Sequence, residues 1–281
     1  MSIAVTGATG NLGRHVVEAL IDRGTPAADI VAVVRNPQKA ADLAANGVDV
    51  KEADYGDVAA LEAALVGVDR LILISGSEVG SRLPQHTNIV TAAKAAGVGF
   101  IAYTSILDAQ HTPLKLAAEH KATEDLIAES GIPFAFLRNG WYWENFTADL
   151  AGTIERAVVV GAGGDGKIAA AARVDYAEAA AVVATTDGHD GAIYELGGDE
   201  RLTYTELAAQ ISEFAGKPVV YQFVDEKAYE GILEGAGLPA PVAQILADSD
   251  AGIAKGALDT ESGDLQKLIG RSSTRFADVL N

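Results

Sequence analysis

Through the first half of the chain, short continuous apolar runs alternate with stretches in which apolar positions recur at helical spacing. The runs at residues 2–6, 30–34, 48–51, 70–75, 100–104 and 133–137 predict strands, and residues 11–23, 37–45, 58–65, 83–96 and 114–129 predict helices. Most of the strand runs are not broken by polar residues, as expected of parallel strands covered by helices on both faces. Strict alternation with short links predicts a doubly wound α/β Rossmann sheet. Past residue 137 the pattern changes. An irregular stretch leads to a helix at 146–155, a strand at 158–161, a glycine loop at 163–166, a helix at 174–185 and a strand at 193–196. A helix at 204–214, a strand at 219–224 and helices at 226–235 and 242–254 follow. The expected organisation is a Rossmann domain over residues 1–138 and a smaller α/β substrate-binding domain over 139–281, some of whose strands return to the main sheet. A ligand is expected in the crevice between the two.

The segment Gly7-Ala8-Thr9-Gly10-Asn11-Leu12-Gly13 joins the first strand to the first helix. A helix N-terminus offers unpaired N–H groups and positive dipole to an anion. Gly7 permits the turn, Gly10 the approach of a pyrophosphate, and Gly13 the close packing of helix on strand. The strand before and the amphipathic helix after (Val16, Val17, Leu20, Ile21) supply the context that a glycine triplet alone lacks. A dinucleotide site is expected here.

At the end of the second strand an NAD site usually places an acid. This chain has Val34-Arg35-Asn36-Pro37, with Lys39 close behind. A guanidinium can fork onto a 2′-phosphate, so NADP(H) is the expected cofactor, against the alternative of a surface arginine near a helix start. Asp54 and Asp57 follow the third strand, where one reading is contact with adenine and the other a helix cap by Asp57. Ser75, Gly76 and Ser77 end the fourth strand and Thr104 and Ser105 the fifth, all on the edge expected to face the cofactor.

Composition narrows the chemistry. The chain of 281 residues has no cysteine, which rules out disulfides, thiolate catalysis and zinc–thiolate sites. No His, Asp and Glu set has metal-ligand spacing, so no metal is expected. A net charge of −18 argues against nucleic acid and anionic membranes as partners. No apolar run is long enough to cross a bilayer, and the chain enters its first strand without a leader pattern, so a cytoplasmic protein is expected.

Aromatic residues are scarce, yet Phe134, Phe136, Trp141, Tyr142, Trp143 and Phe146 cluster after the sixth strand. Trp141, Tyr142 and Phe146 are expected to offer a flat wall to an aromatic acceptor, with Asn139 and Asn145 supplying orienting hydrogen bonds. Some of this cluster is expected to pack rather than to bind. On the helix at 114–129, Leu116, His120, Thr123 and Ile127 share one stripe. His120 reads equally as a core histidine or a pocket residue. Lys121 reads as a ligand contact or as the partner of Asp125 four residues on. The acidic pair Asp248 and Asp250 reads as a solvated face.

Together these segments resemble the NmrA-like branch of the atypical short-chain dehydrogenase/reductases, essentially from end to end. The residues that carry the likeness are 6–13, 34–37, Ala53-Asp54-Tyr55-Gly56-Asp57, Ala102-Tyr103-Thr104-Ser105, Leu137-Arg138-Asn139-Gly140-Trp141-Tyr142 and 265–271. Ser77-Glu78-Val79-Gly80 and 246–250 extend it to quinone-reducing members, and dye-reducing ones are less similar. The resemblance implies NADPH, bound against the glycine loop, Arg35, residues 75–77, the segment 139–144 including Asn139, Gly140, Trp141 and Tyr142, and Arg173. One departure matters. Classical relatives carry Tyr-x-x-x-Lys with the tyrosine as proton donor. Lys121 matches the lysine, but Ala117 stands in the tyrosine's place. A carbonyl reductase must protonate a developing alkoxide. A quinone takes hydride to give a delocalised phenolate that water protonates, so a planar, quinone-like small molecule is the expected acceptor. A homodimer is allowed by this architecture. The rival reading is a non-catalytic NADP-binding redox sensor, and the fold alone does not separate the two. A sugar-nucleotide epimerase or ketone reductase is disfavoured by Ala117.

Overall fold

The first apolar run is buried over its whole length, as a strand covered on both faces must be. In a computed structural model, which describes residues 1–76, 78 and 80–280, the chain opens with β1 (Ile3–Thr6), α1 (Gly13–Asp22), β2 (Ile30–Val34), α2 (Ala41–Ala45), β3 (Asp49–Glu52) and α3 (Val58–Leu65). It continues with β4 (Arg70–Leu73), α4 (Arg82–Ala96), β5 (Phe100–Ile106), α5 (Ala117–Ser130) and β6 (Phe134–Asn139). Next come α6 (Glu144–Thr147), α7 (Leu150–Arg156), β7 (Val158–Gly161), α8 (Arg173–Thr185), β8 (Ala192–Leu196), α9 (Tyr204–Ala215) and β9 (Val220–Phe223). The helices α10 (Glu226–Gly235), α11 (Ala240–Ile253), α12 (Asp264–Ile269) and α13 (Phe276–Val279) close the described chain.

Seven strands form one sheet in the order β3-β2-β1-β4-β5-β6-β8. The pairs from β3 to β5 run parallel, with Ile3 opposite both Ile30 and Arg70. The order reverses between β1 and β4, so the chain leaves the sheet in opposite directions from two neighbouring strand ends. That is where a Rossmann sheet binds its ligand. The fold is the expected α/β Rossmann type, and β8 is a late strand returned to the main sheet.

Three boundaries differ from the pattern. Residues 37–45 begin as a 3₁₀ turn, Pro37–Ala40, because the Asn36 side chain accepts from Gln38 N–H and Pro37 opens the turn. The helix expected at 114–129 starts at Ala117, which leaves Leu116 outside it. The helix expected at 146–155 is two, because Asp149 departs from helical backbone (φ −126°, ψ 46°) and pairs with Arg156 at 2.8 Å. The short helices α12 and α13 fall where no helix is expected, since four to six residues are too few to show a period.

The chain separates into two compact units. The first comprises Met1–Ile106, Glu119–Arg138 and Arg173–Tyr194. The second comprises Leu107–Ala118, Asn139–Ala172 and the chain from Glu195 on. In the first unit α3 packs with α4, and α1 with α8. Leu61, Leu65, Leu71, Ile89, Tyr103 and Ile127 belong to its main core, each at most 0% exposed. Arg70, at the start of β4, donates to the carbonyls of Val183, Ala184 and Thr186 at the end of α8, and pairs with Asp187 at 2.6 Å. A cation there satisfies carbonyls that the helix leaves unpaired.

In the second unit β7 and β9 form a separate parallel pair. Trp143 and Phe276 are fully buried there with ring centroids 5.2 Å apart. Among the described residues, no helix is long and apolar enough to cross a membrane.

Candidate functional site

The glycine loop sits at the switch point, between the end of β1 and the start of α1. Gly7 has φ +61°, a left-handed conformation that suits glycine, and its carbonyl accepts from Gly10 N–H at 2.8 Å. A Cβ on Gly13 would lie 2.2 Å from that same carbonyl oxygen, so only glycine lets α1 start this close to the loop. No side chain caps the N-terminus of α1, and its first turn carries no acid. Such a helix end offers N–H groups and positive dipole to an anion, the chemistry a dinucleotide's pyrophosphate requires. The residues present therefore fit the cofactor.

Arg35 follows β2, is exposed, and donates from Nη1 to Glu78 Oε1 at 2.6 Å. The other Glu78 oxygen accepts from Gln85 Nε2 at 2.8 Å. Asp57 caps α3 by accepting from Ala60 N–H, and Asp54 accepts from Gly56 N–H, so both are engaged in local turns. Past β4, Ile74 N–H donates to Thr6 Oγ1 at 3.1 Å and Ser75 N–H to Thr104 Oγ1 at 2.9 Å. Thr6 at the end of β1 and Thr104 within β5 thus hold the exit of β4. Ser75 and Gly76 are half-buried at this edge, while Ser77 lies outside the described residues.

The α5 stripe is buried at Ala117, His120, Thr123, Glu124 and Ile127. His120 Nδ1 shares a hydrogen bond with the Tyr103 hydroxyl at 2.9 Å. Burial, with the positive Arg82 adding to it, holds His120 well below the usual histidine range, so its ring is neutral. Lys121 is exposed and pairs with Asp125 at 3.5 Å. Ser105 donates to Glu124 Oε1 at 2.6 Å, and Arg138 binds the same carboxylate through Nε at 2.9 Å and Nη2 at 2.7 Å. This serine is committed to a buried ion pair, not poised as a nucleophile.

In the second unit a backbone bridge fixes the aromatic segment. Tyr142 pairs with Ala171, Trp143 N–H donates to Ala171 O, and Ala171 N–H donates to Trp141 O. The backbone turns helical at Trp143 (φ −56°, ψ −35°), where α6 begins, and the rings part company there. Trp143 points into the core, where its Nε1 donates to Thr274 O at 3.1 Å, and Trp141 and Tyr142 stay half-buried. Phe146 packs edge-on to Tyr204 and Phe276, and Asn145 is exposed. Phe134 and Phe136 stack on each other at 4.3 Å in the first unit. Asn139 is 4% exposed, and its Oδ1 is buried with no hydrogen-bond partner among the described residues, while Nδ2 reaches the Tyr142 hydroxyl at 3.5 Å. An unpaired buried acceptor is costly and marks a place where a ligand donor fits. Gly140 N–H donates to Leu196 O at 2.7 Å, and Arg173 opens α8 in the first unit, half-buried.

The acidic pair on α11 is not a solvated face. Asp248 accepts from Lys115 N–H at 2.8 Å. Asp250 is 7% exposed and accepts from the Tyr204 hydroxyl and from Ala162 N–H. Tyr204 stacks on Tyr221 at 4.9 Å, and the Tyr221 hydroxyl donates to Gly161 O and accepts from Gly164 N–H. The glycine loop after β7 is thereby clamped by a buried carboxyl and two tyrosines. Among the described residues, no group of three His, Cys, Asp or Glu side chains is arranged to hold a metal ion.

Two buried groups near the β4 exit, Arg82 and His86, escape the sequence reading. Their signal is present: residues 82, 86, 89 and 93 fall on one helical stripe, and all four are buried.

The model of the NmrA-like family matches residues 1–259. The chain is 54% identical over 279 residues to quinone oxidoreductase 2 of Escherichia coli K12, covering 99% of this chain and 97% of that protein. The crystal structure of the Escherichia coli NADPH-dependent quinone oxidoreductase complexed with NADPH superposes with a TM-score of 0.96, over 99% of this chain and 98% of that one. Citrobacter sp. triphenylmethane reductase complexed with NADP(H) gives a TM-score of 0.94 at 41% identity, over 99% of both chains.

Proposed function

The chain belongs to the NmrA-like family, and from that premise we propose that it is an NADPH-dependent reductase that passes hydride directly to quinones or similar planar acceptors. The observation that carries the reading is its end-to-end likeness to a quinone oxidoreductase crystallised with NADPH. In this reading residues 1–138 bind the cofactor and 139–281 the acceptor. Gly7, Ala8, Thr9, Gly10, Asn11, Leu12 and Gly13 cradle the pyrophosphate, Arg35 grips the 2′-phosphate, and Ser75 and Gly76 line the ribose and nicotinamide. To these the family resemblance adds Asn139, Gly140, Trp141, Tyr142 and Arg173. The unpaired Asn139 Oδ1 supports its place in that set.

Bound NADPH supplies the hydride, and the protein supplies orientation and exclusion of water. Trp141 and Tyr142 offer half-buried rings to a flat acceptor, with Phe146 and Asn145 beside them in sequence. Quinone reduction spreads the new charge over oxygen and ring, so water completes the protonation. The reading therefore needs no proton from His120, which is buried and neutral, or from Lys121, which is paired on the surface. A cytoplasmic location, a small-molecule acceptor as partner and an allowed homodimer complete it.

The test is NADPH oxidation measured against quinones, ketones and dyes. We expect turnover with simple quinones and little with unactivated ketones, because Ala117 stands where a proton-donating phenol would. Equal activity on ketones would reveal another donor, and His120 would be the first residue to replace. Tight NADPH binding without reduction of any acceptor would favour the redox sensor instead.

Cofactor choice gives a second expectation. Arg35→Ala should weaken NADPH binding by about 1.5–3 kcal/mol, the scale of charge-assisted hydrogen bonds, and leave NADH nearly unaffected. Glu78 already holds this guanidinium, so the phosphate exchanges one charged partner for another and the loss should fall toward the lower end. Titration of both cofactors against both proteins checks this, and an equal loss for NADH would sink it.

A further inference from the structure

The backbone past β4 presents three successive N–H groups to side chains. Ile74 and Ser75 are held by Thr6 and Thr104. The third, Gly76 N–H, donates to His86 Nε2 on α4 at 3.1 Å. One turn earlier on the same helix, Arg82 Nε donates to the Gly76 carbonyl at 2.7 Å. Both polar groups of one peptide residue are therefore gripped by α4, through side chains that are 0% and 5% exposed. The grip is braced from α5. Glu119 lies 3.6 Å from Arg82 and accepts from Gly80 N–H at 3.1 Å.

The hydrogen bonds settle the state of His86. A backbone N–H can only donate, so Nε2 accepts and the ring proton sits on Nδ1. Nδ1 donates to Thr123 Oγ1 at 2.9 Å, and the Thr123 hydroxyl donates in turn to the Glu119 carbonyl at 2.8 Å. Burial, reinforced by the Arg82 charge, pushes His86 down to about 3, which keeps Nε2 an acceptor throughout the physiological range. Every atom in this chain of bonds has one consistent role.

We propose that His86 is a positioning residue for the cofactor: with Arg82 on the same residue's carbonyl, it fixes the β4 exit in the conformation against which the ribose and nicotinamide bind. The proposal rests on the NADPH reading above. A glycine-bearing segment left to itself samples many conformations, and ordering it on binding would be charged against affinity. The buried clamp removes that cost in advance. Loss of the clamp should therefore appear in NADPH affinity and leave the chemical step, once the cofactor is bound, close to unchanged.

The experiment compares wild type, His86→Leu, His86→Gln and Thr123→Val by NADPH titration, steady-state kinetics with a simple quinone, and thermal unfolding. His86→Leu is expected to raise the NADPH Kd and KM about tenfold, the scale of one unmade buried hydrogen bond, with kcat at saturating NADPH within about twofold. His86→Gln places an acceptor oxygen near the Nε2 position and should recover most of the loss. Thr123→Val removes only the hydroxyl under the ring and should raise Kd about threefold, which keeps the proposal testable if His86→Leu does not fold. A folded His86→Leu or Thr123→Val protein with wild-type Kd would overturn the proposal, as would a glutamine variant no better than leucine. Wild-type protein that bound no NADPH would overturn the cofactor reading and the proposal together, whereas wild-type binding with unchanged variants would overturn the proposal alone.

Discussion

Trp143→Ala is expected to cost about 3–5 kcal/mol of stability, while Trp141→Ala and Tyr142→Ala should cost little stability and reduce quinone turnover more than about tenfold. The three residues are consecutive, and the difference comes from where each ring goes. Trp143 is 0% exposed, packs 5.2 Å from Phe276 and 6.2 Å from Phe146, and bonds the Thr274 carbonyl. Its removal leaves a cavity and deletes the hydrogen bond that Nε1 makes to the half-buried Thr274 carbonyl, and the two losses add. Trp141 and Tyr142 are only half-buried, and the proposed function has them stack on the acceptor. Thermal unfolding and turnover measured on the same preparations separate the outcomes. A Trp141 or Tyr142 variant that melts early yet turns over normally when folded would assign that ring to packing. NADPH affinity should fall much less than turnover, because the proposed function puts the phosphate grip on the glycine loop and Arg35.

Stability should also fall between pH 4 and pH 6 through Asp250, and Asp250→Asn should abolish that part of the slope. Burial raises the Asp250 carboxyl from its ordinary 3.8 to about 6, against the opposing pull of the Tyr204 and Ala162 hydrogen bonds. The folded state thus holds a proton that the unfolded chain has released. A group of this kind contributes stability below its unfolded value and loses it as pH rises through the folded value. About two pH units of difference correspond to roughly 3 kcal/mol. The informative quantity is the stability of wild type minus that of Asp250→Asn, because the other titrating groups cancel. That difference should shrink by roughly 3 kcal/mol from pH 4 to pH 7 and level off above. A difference that stayed flat across the range would show that Asp250 titrates normally.

Much of the first unit was legible in the sequence because its signals are local. A continuous apolar run, a glycine turn and an arginine at a strand end each carry their meaning within a few residues, and β2 and α3 fall on their expected boundaries. What the pattern concealed is set by distant partners. Asp250 reads as surface because its neighbours Asp248 and Ser249 are polar, but Tyr204 and the loop after β7 enclose it. The fates of Trp141, Tyr142 and Trp143 depend on a bridge to Ala171, which no spacing announces. His86 sits among polar residues on α4, and its burial shows only when 82, 86, 89 and 93 are seen as one stripe.

The first unit is also discontinuous, and this bears on the order in which the chain is made. Residues 173–194 return to it after the second unit has begun. Among them α8 lies against α1, β4 and β5, and its last carbonyls are held by Arg70. Domains generally fold as units during synthesis from the N-terminus. Here the strands and helices through β6 emerge first, yet the apolar surface that α8 covers stays open until more than thirty further residues have left the ribosome, by the spacing from β6 to α8. A growing chain stalled in that interval exposes a half-covered sheet, the kind of surface that recruits chaperones or aggregates. Arg70 waits through the same interval for helix carbonyls that have not yet been made.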